Sequence, residues 1–242
     1  MKSLLVLICF CFNCFAQIPD SLLPKHSSSD FIIHHLAYTV DFDKSKGIAK
    51  WSAYLLTRSM VENKVAVRSN KFKADPLAGQ YSPEPCSYKH SGYDKGHLAP
   101  AADMAWSVEA MQESFYMTNM TPQVPAFNRG IWKQLEDRIR VWAEEYDSLY
   151  VITGPIMDSS MEKLPACGGG VAVSIPQTFF KVVLSNKKGH EKAIGFIFPN
   201  EGSKKLLKDF AFPVDWVEYC SHLDFFPTIN DSIENKIGFD IR

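Results

Sequence analysis

Apolar residues at Ile131, Trp132, Leu135, Ile139 and Trp142 recur at three- and four-residue intervals, with charged and polar residues between them. That is the period of an amphipathic helix, and it predicts one over residues 128–146. Elsewhere the apolar runs are shorter. Residues 32–42 and 49–57 are rich in aliphatic and aromatic side chains and read as strands. Residues 149–153 read as a buried strand ended by Gly154-Pro155, and 178–184 and 193–198 as further strands. Residues 111–117 either begin a strand or end a short helix. Residues 200–208 are assigned a short helix, and 215–225 a last helix or turn before Phe226-Pro227. The alternation predicts an α+β domain with a central mixed or antiparallel sheet flanked by helices.

Two stretches lack such periodicity. Residues 68–93 are rich in Pro, Ser, Lys and Gly and predict a long surface loop, a feature more often functional than accidental. Residues 17–30, with Pro19, Pro24 and Ser27-Ser28-Ser29, predict a loose N-terminal segment ahead of a domain over 31–242. Before them, Lys2 precedes an apolar run through Phe12, and Ala16 ends a Cys-Phe-Ala stretch. This is the layout of a signal peptide over residues 1–16, cut near Ala16, and it predicts a secreted or periplasmic protein. The run is short for a membrane span, so the mature form is expected to carry none. An uncleaved anchor or a lipid on Cys9, Cys11 or Cys14 is the less favoured alternative.

Composition adds limits. The chain of 242 residues is 46% hydrophobic and 22% charged, ordinary values for a globular protein that argue against a disordered chain and allow one domain with a full core. The net charge is −1, and loss of Lys2 with the leader makes it −2 because no acidic residue leaves with it. Such a chain has no global attraction for nucleic acid, so any phosphate-binding surface must be local. Of six cysteines, Cys86, Cys167 and Cys220 follow the leader. Three thiols permit one disulfide and one free cysteine, and their spacing disfavours a CxxC zinc knuckle. Which two pair is open.

Chemistry concentrates in two clusters. Tyr93-Asp94-Lys95-Gly96-His97-Leu98-Ala99-Pro100 reads as a tight polar turn. A histidine there is usually structural, but its ordinary pKa of about 6.5 suits proton abstraction at neutral pH. The second cluster runs from Phe115 through Asn119 and Gln123 to Asn128-Arg129-Gly130-Ile131-Trp132 and Leu135-Glu136. Asn128 at the start of a helix is either an N-cap or an oxygen ligand for a hard cation. Glu136 lies about 80° around an ideal helix from Asn128, so it reaches the same ion only if Asn128 sits outside the regular helix.

Together these residues resemble a known family. Asp94-Lys95-Gly96-His97 resembles the Asp-Arg-Gly-His signature of the DNA/RNA non-specific endonucleases, the endonuclease G-like group. Thr118 to Gln123 with Asn128 to Glu136 resembles its second signature, and Arg68 to Pro76 its upstream arginine segment. Ile175-Pro176 to Phe180-Lys181 and Leu223 to Phe226 resemble later segments, so the likeness spans about residues 35–228. It implies a ββα-metal, or His-Me finger, motif. It implies His97 as general base, Arg68 as phosphate clamp and Asn119 as an organiser of the site. Asn128 would hold Mg2+, with Mn2+ or another divalent ion as alternatives, and Glu136 a metal-bound water. Lys95 and Arg129 would contact DNA or RNA. Lys95 stands where the family has arginine, and so lacks that residue's bidentate geometry. A homodimer and an inhibitor protein are left open.

Two rivals accompany this reading. A non-catalytic nucleic-acid-binding or uptake protein would keep the fold without cleavage. A thiol hydrolase would use Cys86 or Cys167 with His97.

Overall fold

In the computed structural model, which describes residues 17–185, 187 and 191–241, the chain begins with β1 (Ile32–His34), β2 (Tyr38–Asp43), β3 (Ile48–Thr57) and the short helix α1 (Arg58–Glu62). After an irregular stretch come β4 (Asp94–His97), α2 (Val108–Glu113), β5 (Met120–Gln123), α3 (Pro125–Asn128) and α4 (Ile131–Tyr146). The remainder holds β6 (Ser148–Pro155), β7 (Lys163–Leu164), β8 (Val173–Ser174), β9 (Thr178–Ser185), β10 (Lys192–Pro199), β11 (Ala211–Phe212), α5 (Val214–Ser221) and α6 (Asp231–Glu234).

Among the described residues, a seven-stranded sheet runs β1-β2-β3-β6-β9-β10-β11, with every pairing antiparallel. The fold is α+β, as expected. Successive side chains on a strand face opposite sides, and both sides are covered. Val151 and Val183 join the core that packs against Trp132, Leu135, Ile139 and Trp142 of α4. Their neighbours Ile152 and Val182 point the other way, toward Val214 and Val217 of α5 and toward Phe225 and Phe226. The predicted stripe of α4 is buried in full.

Several boundaries differ from the sequence reading. The strand expected over 32–42 is two strands joined by a reversal, in which His35 N–H donates to Tyr38 O at 2.9 Å. The reversal buries His35, whose Nε2 meets Asp75 Oδ2 at 3.0 Å. The helix expected from 128 begins at Ile131. Pro125 starts the separate turn α3, as proline does at a first helical position. Gly130 then breaks the path, and a Cβ there would stand 2.3 Å from Ala126 O. The short-helix reading of 111–117 is met by α2, capped by Ser107 Oγ, which accepts from Ala110 N–H at 3.3 Å. No helix forms over 200–206; a 3-10 turn follows at Leu207–Phe210. The helix expected within 215–225, α5, stops at His222, which takes φ +57°, and the short α6 follows it.

The segment over 17–30 corrects the expectation of a loose tail. Ile18, Leu22 and Leu23 are buried against Trp51, Phe180 and Phe225. Pro19 and Pro24 frame this apolar trio rather than keep it solvated. The leader assignment over residues 1–16 lies outside the described residues. No helix among the described residues is long and apolar enough to cross a membrane. Cys86 and Cys167 form a disulfide with Cα atoms 6.0 Å apart, tying the loop over 68–93 to the segment before β8. Cys220 is free.

Candidate functional site

The antiparallel pair β4–β5 stands apart from the main sheet and leads into α3 and α4. Its register places Gly96 opposite Thr121 and His97 opposite Met120. A Cβ on Gly96 would lie 2.1 Å from the buried Gln123 side chain, so any larger residue in this strand would have to displace Gln123. Directly after the pair, Leu98 N–H donates to Asn119 O at 3.0 Å. Asn119 Oδ1 accepts from Ala99 N–H, and its Nδ2 donates to Ala99 O and Ser114 O, each at 2.9 Å. Every one of these bonds goes to backbone, and Asn119 is fully buried. It fastens the chain beyond His97 rather than facing a ligand.

His97 is 8% exposed and sits in an aromatic setting. The Phe115 ring meets it edge-on at 4.8 Å between centroids, and Phe72 lies at 5.8 Å. Its Nε2 is sealed from solvent without a hydrogen-bond partner, which leaves Nδ1 as the nitrogen with access to the cavity His97 lines. Burial, followed by the nearby Arg68 charge, pushes its pKa down to about 3. The imidazole is therefore neutral, and able to accept a proton, across the neutral range.

Asn128 ends α3 and lies outside α4, which is the condition under which it and Glu136 can serve one ion. Its Nδ2 donates to Asp94 Oδ2 at 2.9 Å. Its carbonyl oxygen is thus the end of the amide left for a ligand. Arg129 clasps the same carboxylate, with Nε to Oδ2 at 2.8 Å and Nη2 to Oδ1 at 2.5 Å. Burial would raise the Asp94 pKa, but the bonds from Arg129 and Asn128 outweigh it and hold the carboxyl below the usual range.

His97, Asn128, Arg68, Lys95, Arg129 and Glu136 all line one cavity of about 290 Å³. Asn119 supports it from behind. Lys133 and Arg140 also line it, so five cationic side chains face the single carboxylate of Glu136. A chain of net charge −1 thereby presents a local positive pocket. Arg68 lies over the Phe115 ring at 5.2 Å and bonds Asn70 Oδ1 through Nε at 2.9 Å. Lys95 lies over Phe72 at 4.9 Å and Tyr88 at 5.5 Å, which holds its ammonium over two ring faces.

A charged network underlies the floor. Arg140 Nη1 donates to Asp103 Oδ1 at 2.6 Å, and Tyr54 OH donates to Asp103 Oδ2 at 2.9 Å. Lys181 is fully buried, donates to Thr153 Oγ1 at 2.7 Å and lies 4.7 Å over Trp132. Burial raises the Glu136 pKa against the pull of Lys181, and burial lowers that of Lys181 against the pull of Glu136. Asp94, Phe115, Arg140 and Lys181 were not assigned roles from sequence. Asp94 and Lys181 lay within the segments that resemble the family, and Arg140 follows Glu136 by one helical turn on the same face, whereas Phe115 carried no comparable signal.

No three His, Cys, Asp or Glu side chains among the described residues gather in ready metal-ligating geometry. A cation in this cavity would instead draw on the Asn128 amide oxygen, water and phosphate, a donor set that suits a hard ion. The disulfide removes Cys86 and Cys167 as nucleophiles.

A profile of the DNA/RNA non-specific endonuclease family matches residues 24–232. A nuclease of Nostoc sp. is 32% identical over 238 residues, covering 90% of this chain and 83% of its own. Human mitochondrial endonuclease G is 30% identical over 204 residues, covering 80% of this chain and 68% of its own. A chain in a solved complex of EndoG with EndoGI superposes with a TM-score of 0.77 at 29% identity, over 88% of this chain and 92% of that one.

Proposed function

Given that the chain belongs to the DNA/RNA non-specific endonuclease family and is a hydrolytic nuclease, we propose that it is an exported, divalent-metal-dependent endonuclease that cleaves DNA and RNA with His97 as general base. The observation that carries this reading is the shared cavity of His97, Asn128, Arg68 and Glu136.

His97 Nδ1 takes a proton from a water whose oxygen bonds to phosphorus as the bond to the leaving 3′ oxygen breaks. The neutral state that burial imposes on His97 readies it for this step. Arg68 offers its planar fork to a non-bridging phosphate oxygen, and Lys95 and Arg140 add positive charge along the wall. Arg129 acts chiefly by neutralising Asp94 and so holding the Asn128 amide. Asn128 and Glu136 would hold Mg2+, or Mn2+ in its place, directly and through water. When bound, that ion neutralises charge developing on the phosphate and the leaving oxygen.

Every contact named goes to phosphate, water or ion. Such contacts position a strand without reading its bases, and none needs a 2′-hydroxyl. Weak sequence preference and acceptance of both nucleic acids follow. The apolar leader over residues 1–16 supports export, where such an activity spares the cell's own nucleic acid.

The test is cleavage of supercoiled plasmid and of an RNA transcript with Mg2+ and with EDTA. Both substrates should be cut, and chelation should stop both reactions. Cleavage indifferent to EDTA would refute the metal dependence.

A further inference from the structure

The segment that carries Arg68 lines a second groove, of about 380 Å³, which it forms with α2. The odd-numbered residues from Val65 to Lys73 line this groove, together with Val108 and Met111 of α2. Arg68 and Phe72, at even positions, serve the catalytic cavity instead. Arg68 lines it beside His97, and the Phe72 ring lies 5.8 Å from the His97 ring. This is the two-residue alternation of an extended chain, and it gives one segment a cavity on each side. The segment is fastened at both ends. Val65 N–H and Ala66 N–H each donate to Ala105 O at 2.8 Å, and Met117 N–H donates to Lys73 O at 3.0 Å.

The surface of the groove is unlike an ordinary solvated one. Val65, Val67 and Val108 are 67%, 90% and 56% exposed. Single exposed apolar residues are commonplace, but three around one concavity mark a binding surface. Lys71 and Lys73 share the lining, no acidic side chain does, and among the described residues neither lysine forms an ion pair. Apolar surface beside uncompensated ammonium groups suits a ligand that is apolar at one end and anionic at the other. A nucleotide is such a ligand, with a flat base and a phosphate.

We infer that this groove is a second subsite for the nucleic-acid strand. It holds a nucleotide beyond those flanking the scissile phosphate, with the base against Val65, Val67 and Val108 and phosphates near Lys71 and Lys73. The inference rests on the proposed reaction at His97 for its anchor, because Arg68 joins the two cavities. Every base has a face that can lie on apolar surface, and valine offers no hydrogen-bonding group, so the subsite grips a strand without reading its sequence. Its effect is on length. A dinucleotide, with one phosphodiester, fills the catalytic cavity alone, whereas a longer strand spans both.

The experiment is calorimetric titration of the full chain with dithymidylate and with octathymidylate, in EDTA so that neither is cut. Wild type should bind the octamer at least about 10-fold more tightly, the scale of one added base contact. Val67 is almost wholly exposed, so Val67→Asp spares the fold and should cut that preference roughly 10-fold. Lys71→Ala combined with Lys73→Ala should also cut it, and should flatten the slope of log K against log salt by about 1.4, the share of two phosphate contacts on a single strand. Tyr219→Asp adds the same charge on α5, outside the groove, and should keep the wild-type preference.

Equal binding of the two oligonucleotides by wild type, no binding of either, or a preference that survives in both groove variants overturns the inference. So does a dimer in sedimentation that Val67→Asp dissociates, which gives the groove to a second copy of the chain. EDTA-sensitive plasmid cleavage by wild type alongside an unaltered preference in the groove variants removes the subsite and leaves the nuclease reading standing. A groove-dependent preference in a chain that cuts nothing keeps the strand site and removes that reading.

Discussion

Asn128 donates its amide N–H to the Asp94 carboxylate at 2.9 Å, so the first residue of the Asp-Lys-Gly-His segment, which forms strand β4 rather than the tight turn its residues suggested, orients the amide that leads into α4. The strand and the helix are thus one device: β4 supplies both His97 and the carboxylate that aims Asn128. Asp94→Ala is expected to raise the Mg2+ concentration for half-maximal cleavage by roughly 10- to 100-fold, as loss of an outer support for a ligand does. Asp94→Asn, which keeps an acceptor, should lose less. Metal titrations of the cleavage rate check this, and an unchanged half-saturation in Asp94→Ala would remove Asp94 from the role.

The His97 pKa has a consequence for stability. It lies at about 3 in the folded chain against 6.5 for a free imidazole. Between those values the unfolded chain binds a proton that the folded one refuses. Stability from this group is therefore complete above pH 6.5 and is lost as pH falls toward 3. Urea midpoints measured from pH 7 to pH 4 should fall less steeply in His97→Asn than in wild type. Parallel pH profiles would count against a buried neutral imidazole.

Lys95 tests the substitution of lysine for the family's arginine. Its ammonium lies over Phe72 and Tyr88. Lys95→Ala should cost about 1 kcal/mol of stability from the lost cation–π contacts, read from denaturant unfolding. It should also weaken substrate binding, seen as a higher KM, because one of the cavity's positive charges is gone. Lys95→Arg should restore both.

Reduction of Cys86–Cys167 should lower stability by about 2–4 kcal/mol, since the bridge restrains a long loop in the unfolded chain. Cleavage at moderate temperature should persist, because neither sulfur takes part. Loss of activity on reduction without unfolding would revive a direct role for these cysteines.

Much of this was legible in the residue pattern. The stripe Ile131, Trp132, Leu135, Ile139 and Trp142 announced α4, and His97, Asn128, Arg68 and Glu136, each singled out in the sequence, line one cavity. What was not legible depends on contacts distant in sequence. His35 reverses the chain because Asp75 awaits it forty residues on. The 17–30 segment looks solvated until the Trp51 and Phe180 surface it covers is known. Phe115 carries no catalytic chemistry of its own, so its place beneath both His97 and Arg68 appears only in three dimensions. The pairing of Arg129 with Asp94, likewise, joins residues distant in sequence and appears only in three dimensions.

The most direct measurement is the Mg2+-dependent cleavage rate of His97→Ala, without and with added imidazole. Loss of the base should slow cleavage by about 10²- to 10⁴-fold in a folded protein. Imidazole, entering the space left between Phe72 and Phe115, should restore part of the rate. Cleavage by His97→Ala at the wild-type rate would contradict the role of His97 outright.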